Sequence, residues 1–442
     1  MLLKCNYLPQ DDGHCGWYET LPPPPPARPL RGQVAADWVV LGAGLAGLAA
    51  ARRLAELQPE ASIAVIDARQ AAFSTAGRNS GFMIDLPHDL KSHSYTSDRS
   101  TDRRLISLNR AAIDYLKQIV TRHGIQCDWR EQGKLHGAVE AHGIRALEDF
   151  ARGLDVLEEP YRTLDAQAMR AITGTDFYKA GLHAPGTVLV QPAALVRGLA
   201  STLPDNVRLY ENSPVQTIEL GRPHTLRTSD GSLKAPRLIL ATNAYASQFD
   251  KLGLKGRILP VYTYGSLTRP LTAEESRTLG GEESWGLIPA DPLGTTIRRM
   301  ADGRICVRNR FSYNPKLQAG DHQIREVRVA HLKSFRNRFP MLPDVTFDYT
   351  WGGALCLSRN GGTPFGEIAP KVFSAVCQNG LGLTRGTISG KLAAEYAVGM
   401  ESELLRYVME EAKPACNPPE PLLGIGVRST LTWKERQAGK EL

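Results

Sequence analysis

The chain has 442 residues, 42% of them apolar and 22% charged, with a formal net charge of +7. That length exceeds one ordinary hydrophobic core and predicts two domains, and the composition is that of a water-soluble globular protein. The positive charge is dispersed without a long Lys/Arg block, which argues against nucleic acid as a partner; the seven cysteines contain no Cys-x-x-Cys pair, which disfavours a metal site and a disulfide framework and fits a reducing, cytoplasmic setting.

The first ten residues lack the basic start and apolar core of a secretory signal. Residues 1–34 read as a polar arm whose Pro22–Pro26 run favours a stiff polyproline segment. An apolar strand, Trp38 to Leu41, then runs into Gly42-x-Gly44-x-x-Gly47, and a helix-forming run follows. A second apolar strand, Ser62 to Ile66, ends in Asp67, twenty residues after the last glycine. This is the dinucleotide-binding fingerprint in its strand–helix–strand context. Gly42 allows the tight turn, Gly44 lets the backbone approach a pyrophosphate, and Gly47 lets the helix pack close to the strand. The helix amino end offers free N–H groups and a partial positive charge to phosphates, and Asp67 can accept hydrogen bonds from a ribose diol. The fingerprint alone leaves NAD and FAD open. Val39–Ala51, the longest apolar run, is too short for a membrane span, so no integral membrane segment is expected.

Residues 74–91 contain the small-residue loop Thr75-Ala-Gly-Arg-Asn-Ser-Gly81. Apolar repeats near 3.6 predict helices over 102–123 and 140–172, with strand and turn at 127–138 between them. Pro192 opens a helix over 191–200, and short strands follow at 207–211, 213–218 and 237–245. Alternation such as Val261-Tyr-Thr-Tyr264 and Arg304-Ile-Cys-Val-Arg308 predicts an antiparallel sheet across 256–311. A helix over 322–338 comes next, then Tyr349-Thr-Trp-Gly-Gly353, then an apolar strand from Val372 that reaches Gly380-Leu-Gly-Leu-Thr384 and a helix to about 397. Nucleotide-type elements thus recur at the start, middle and end, interrupted by sheet-rich inserts, which makes the fold class α/β.

Several of these segments match one family in order. Ala76-Gly-Arg-Asn-Ser-Gly81 matches a Ser-Gly-Arg-Asn-Gly-Gly loop, Pro192–Leu199 a mid-chain helix, and Ala241-Thr-Asn-Ala-Tyr245 a strand-end motif. Trp351-Gly with Pro364-x-Gly366 matches a late region loosely, and Gly380-Leu-Gly-Leu-Thr-Arg-Gly386 with Gly390 matches a terminal loop and helix. Together with the fingerprint they resemble the FAD-dependent D-amino-acid oxidase superfamily, and within it the gamma-glutamylputrescine oxidase type of amine oxidase, over roughly residues 36–400. The resemblance implies a Rossmann-type FAD-binding domain (35–90, 175–250 and 350–412) interleaved with an antiparallel-sheet substrate domain (91–174 and 251–349), flanked by the arm and a tail over 413–442. It implies cofactor contacts at Gly42, Ala43, Gly44, Leu45, Ala46, Gly47, Asp67, Ala68, Arg69, Gly77, Arg78, Asn79, Ser80, Val215, Thr242, Asn243, Gly380, Leu381, Gly382, Leu383 and Thr384.

Three departures stand out. Leu381 replaces the histidine of the family's frequent Gly-His-Gly, Ser80 replaces a glycine, and Arg359-Asn360 stand near where the family has an aspartate. Some relatives attach FAD covalently through His or Cys beside the flavin; Arg78, Asn79 and Leu381 cannot, so FAD is expected to be non-covalent. For the substrate, Tyr262 and Tyr264 are candidates for an aromatic wall, with core packing of one of them as the favoured reading. The dense Arg298, Arg299, Arg308 and Arg310 read first as solvated hairpin charges; if one points inward as a bidentate partner for a carboxylate, Arg308 is preferred. His88, just past the 75–81 loop, is a candidate for the mouth of the site, with a satisfied surface histidine as the favoured reading. No catalytic dyad or triad is visible, so no catalytic residue is assigned. The implied activity is oxidation of an amine or amino-acid-like molecule by hydride transfer to flavin, with oxygen or another acceptor taking the electrons. Flavin oxidation of a 2-hydroxy acid and a non-catalytic nucleotide-binding protein are the alternatives; an NAD-dependent dehydrogenase fits poorly with the 380–390 segment.

Overall fold

The computed structural model describes residues 1–442 except 11, 90, 91, 93 and 94, so the domain boundary expected between 90 and 91 lies outside the described residues. Trp38–Leu41 is buried on both sides, which is why the strand shows no polar alternation. It lies inside a six-stranded sheet ordered Val207–Tyr210, Ile63–Ile66, Trp38–Leu41, Leu238–Leu240, Val372–Ser374, Gly366–Ala369. The first five strands run parallel and the last is antiparallel. One face, through Trp38, Val40, Ile63 and Val65, packs on the helices Leu45–Leu57 and Thr384–Ala397. The other face, through Val39, Leu41, Ala64 and Ile66, packs on Ile218, Leu226 and Leu233 of a five-stranded sheet. Each such fully buried Val, Leu or Ile side chain contributes about 1.5–3 kcal/mol.

An eight-stranded sheet stands beside this body. Its order is Phe347–Leu357, Leu259–Thr268, Ile305–Tyr313, Thr296–Arg299, Trp285–Pro289, Lys134–Ala138, Ala180–Ala184, Arg162–Asp165. All its pairs are antiparallel except Trp285–Pro289 with Lys134–Ala138. Residues 256–311 therefore supply only half of it; the rest arrives from both sides in sequence.

Other expectations change in detail. The helix expected over 140–172 is two helices, Ala141–Leu157 and Ala166–Thr173, with a strand between them. Glu158 ends the first in the left-handed region (φ 62) ahead of Pro160, and Asp165 caps the second by accepting from the Ala168 N–H at 2.8 Å. Residues 347–357, assigned from 350 onward to the cofactor domain, form an edge strand of the eight-stranded sheet. The arm is not merely a spacer: Leu2–Lys4 pairs with Thr217–Glu219, and Gly16–Glu19 forms a helical turn. The tail carries a helix, Leu422–Ala438, tied to the large sheet by Arg310 and Glu435 at 2.7 Å. Among the described residues no helix is long and apolar enough to cross a membrane.

Candidate functional site

The strand Trp38–Leu41 ends in Gly42, whose φ of 109° is open to glycine and whose Cβ, if present, would stand 2.7 Å from the Ala241 carbonyl oxygen. A Cβ on Gly47 would lie 1.7 Å from the Gly42 carbonyl oxygen, so the helix rests directly on the turn. Asp67 braces that turn from the neighbouring strand end. Its carboxylate accepts from the Ala43 N–H at 2.7 Å and the Arg69 N–H at 2.9 Å. Burial raises its carboxyl above the usual range, and these backbone donors oppose the rise.

The turn opens into a cavity of about 1230 Å³, its mouth included. Of the residues expected at a cofactor, Gly42, Gly44, Leu45, Ala46, Asp67, Ala68, Asn79, Val215, Thr242, Asn243, Gly380 and Gly382 line it. The donors present suit a diphosphate dinucleotide. The Thr242 hydroxyl is buried without a partner among the described residues. The helix Thr384–Ala397 starts with no side-chain cap, and among the described residues the amides of Gly382 and Leu383 have no acceptor. Two helix starts, at Gly44–Leu45 and at Gly382, thus border this space with N–H groups to offer.

A second cavity of about 560 Å³ shares Asn79, Gly380 and Gly382 with the first and is also lined by Ser80, Leu381 and Leu383. Its roof is a row across the large sheet. Thr296 pairs with Arg308; Gly286 pairs with Arg298 and Leu287 with Ile297, which brings Ile288 opposite Thr296; and Ile288 pairs with His136. Thr296, Ile288 and Arg308 line the cavity. Arg308 has no acid partner among the described residues; its guanidinium carbon lies 4.7 Å from the Phe311 ring centroid. Desolvation brings the guanidinium down to about 10, with Tyr95 opposing, so it is cationic at neutral pH.

His88, expected at the surface, forms part of this wall, stacked on Tyr95 at 4.7 Å and 7°. Burial, with the positive charges of Lys134 and Arg308 nearby, holds its imidazole well below the usual range and therefore neutral. The Tyr95 hydroxyl donates to the Pro289 carbonyl at 2.8 Å. His136 meets Tyr95 edge-on at 5.3 Å, and near it Lys134 is buried, its ammonium without a hydrogen-bond partner among the described residues and pushed down to about 8 by desolvation.

Other expected site residues line neither cavity. Tyr262 and Tyr264 are buried, with hydroxyls engaged by Asp12 at 2.9 Å and Ser312 at 2.6 Å. Arg78 lies behind the wall, donating to the carbonyls of Phe73 at 2.8 Å, Gly352 at 3.2 Å and Gly13 at 3.3 Å. Arg69 stacks on Phe73 at 4.1 Å, and Gly77 packs on the Ala72 backbone. Ala43 and Gly47 build the turn, and the Thr384 hydroxyl is buried without a partner. Arg298 donates to the Val190 carbonyl and faces Asp128 at 3.5 Å, Arg299 holds the Gly280 carbonyl at 2.5 Å, and Arg310 holds Glu435. Sequence reasoning missed Tyr95, Ala354–Cys356 and, from the arm, Cys5, Tyr7, Leu8 and Pro9, which line one cavity or the other. None carries a motif; only pairing register and the path of the arm bring them in.

The model of the DAO family, FAD dependent oxidoreductase, matches residues 37–396. The chain is 27% identical over 382 residues to the gamma-glutamylputrescine oxidoreductase of Escherichia coli, covering 85% of this chain and 86% of that protein. It is 26% identical over 384 residues to a probable oxidoreductase, OrdL, of Haemophilus influenzae, covering 84% of each. Its fold is similar to that of glycine oxidase from Geobacillus kaustophilus, with a TM-score of 0.67 and 18% identity over 84% of this chain and 96% of that one.

Proposed function

The chain belongs to the DAO family of FAD-dependent oxidoreductases, and from that premise we propose that it oxidises a small amine or amino acid bearing a carboxylate, bound in the second cavity. Its cofactor is FAD. The observation that carries the proposal is Arg308, a guanidinium without an acid partner among the described residues, in the wall of a recess that meets the dinucleotide cavity at Asn79, Gly380 and Gly382. The names of the relatives, a gamma-glutamylputrescine oxidoreductase and a glycine oxidase, support an amine as the oxidised group.

In this reading the fingerprint turn and Thr242 hold the diphosphate, Asp67 holds the adenosine ribose, and FAD stays non-covalent because Leu381 offers no nucleophile. FAD supplies a hydride acceptor for the C–H next to the substrate nitrogen. Arg308 clamps the carboxylate bidentately and so fixes which carbon faces the shared edge of the two cavities. Phe82, Ile288, Leu381 and Leu383 keep water from the reacting carbon. Arg308 and Lys134 disfavour an ammonium in the recess, while neutral His88 adds no charge, so the amine binds in its reactive neutral form. The amides of Gly382 and Leu383, with the helix behind them, stabilise negative charge gathering at their end of the cavity.

The test is an anaerobic panel of amines, amino acids and 2-hydroxy acids added to the yellow holoenzyme. Bleaching by amines that carry a carboxylate, with ammonia or a released amine as product, is the expected result. Bleaching by 2-hydroxy acids alone would assign the same Arg308 to a different substrate class, and no bleaching by any amine would remove the proposal.

A further inference from the structure

We propose that residues 5–9 of the N-terminal arm belong to the cofactor site, covering the adenosine end of the FAD with Tyr7 as the aromatic surface against the adenine. This rests on the FAD assignment of the larger cavity. The segment lies outside the matched family region, which begins at residue 37, yet Cys5, Tyr7, Leu8 and Pro9 all line that cavity.

Backbone bonds fix which end they cover. The Cys5 N–H donates to the Gln216 carbonyl at 2.9 Å, beside Val215, and the Ser213 N–H donates to the Asp67 carbonyl at 2.9 Å. The arm therefore crosses where Asp67 and Val215 line the wall. An acid at the end of the second strand is the ribose position of a dinucleotide fold, so the base lies beyond it, next to the arm.

The segment is held at both ends. On one side Leu2–Lys4 pairs with Thr217–Glu219. On the other Asp12 is buried, its carboxylate accepting from the Tyr262 hydroxyl at 2.9 Å and the Ala319 N–H at 2.7 Å. Between these anchors Gln248, itself in the cavity wall, grips the strap: its side-chain oxygen accepts from the N–H groups of Asn6 at 2.6 Å and Tyr7 at 3.0 Å, and its nitrogen donates to the Tyr7 carbonyl at 3.2 Å. Tyr7 itself stays 40% exposed at the cavity edge. A ring fixed by its backbone, still partly solvated, gains contact area when a purine arrives, and base–aromatic stacking asks for no sequence-specific partner.

The experiment reconstitutes full-length apoprotein with FAD and follows flavin fluorescence. Tyr7→Ala is expected to weaken FAD binding about tenfold, with Tyr7→Phe near wild type because the ring is kept. Gln248→Ala, which frees the strap, is expected to give a loss of similar size. The unfolding midpoint of Tyr7→Ala apoprotein should not move, since the ring is an edge residue. Tyr7→Ala apoprotein binding FAD within twofold of wild type overturns the proposal, as does an equal loss in Tyr7→Phe. Wild-type apoprotein that takes up no FAD would instead overturn the cofactor assignment itself.

Discussion

The dinucleotide cavity and the recess beside it touch at Asn79, Gly380 and Gly382 but are assembled differently. The first is made of backbone. Two strand-to-helix turns supply amides, and the contacts need side chains to be missing at fixed places. A missing side chain is visible in sequence as glycine at a set spacing. The recess is made of side chains projecting from a sheet face, drawn from strands near residues 288, 296 and 308, together with His88 and Tyr95. What it contains depends on register, and register is a property of pairs of strands rather than of any one segment.

The sharpest way to break that contrast is to fill the backbone-built cavity. A Cβ on Gly44 meets only the Ala76 Cβ at 3.5 Å, so Gly44→Val adds its bulk to the cavity and leaves the turn intact. The expected product is a folded, colourless protein with no bound FAD. Gly47→Ala is the opposite case: its Cβ would enter the Gly42 carbonyl, and the expected result is loss of folding. A Gly44→Val protein that purifies fully yellow would show that the diphosphate lies elsewhere.

In the recess the corresponding change is Arg308→Met. FAD binding should be unaffected, because Arg308 lines only the second cavity. The kcat/KM for a carboxylate-bearing amine should fall about 100-fold, the usual scale for removing one partner of a desolvated charge pair. An amine lacking a carboxylate should lose far less. Equal losses for both kinds of amine would mean that Arg308 supports the recess rather than the substrate.

A smaller effect separates Arg308 from Lys134. The Arg308 guanidinium, lowered to about 10, is charged below that pH and discharges above it. Binding of an unreactive carboxylate, followed by the visible flavin spectrum, should be flat from pH 7 to 9 and weaken about tenfold per unit above 10. A decline that starts near pH 8 would transfer the anchoring role to Lys134, which desolvation brings down to about 8.

The same contrast explains how much could be read in advance. The parallel core, the fingerprint and the late glycine turn are local patterns, and family resemblance brought them to one FAD. Arg308 was one of four arginines on a hairpin, and alternation could not rank them securely: Arg310 sits at φ 60° where the register slips, which puts Arg308 and Phe311 on the same face. His88 looked like a surface residue because nothing local shows the Tyr95 ring that stacks on it. The arm was read as a polar segment with a stiff polyproline run and no assigned contacts, because a strand of three residues, Leu2–Lys4, is too short to announce itself and its partner lies more than two hundred residues away.

Tyr262 draws the two regions together and gives the smallest predicted effect. Alternation with Tyr264 suggested a wall around an amine, but its hydroxyl donates to Asp12, which also takes the Ala319 N–H and so locks the arm to the large sheet. Tyr262→Phe keeps the ring and removes one hydrogen bond to a buried carboxylate, for an expected loss of about 2 kcal/mol in unfolding free energy. The KM for the amine should not change, because the ring does not line the recess. FAD affinity should fall slightly if at all, since Gln248 still grips residues 6 and 7. A several-fold rise in KM at unchanged stability would reverse this assignment: the ring would then be facing substrate, and the arm would be held by its other contacts.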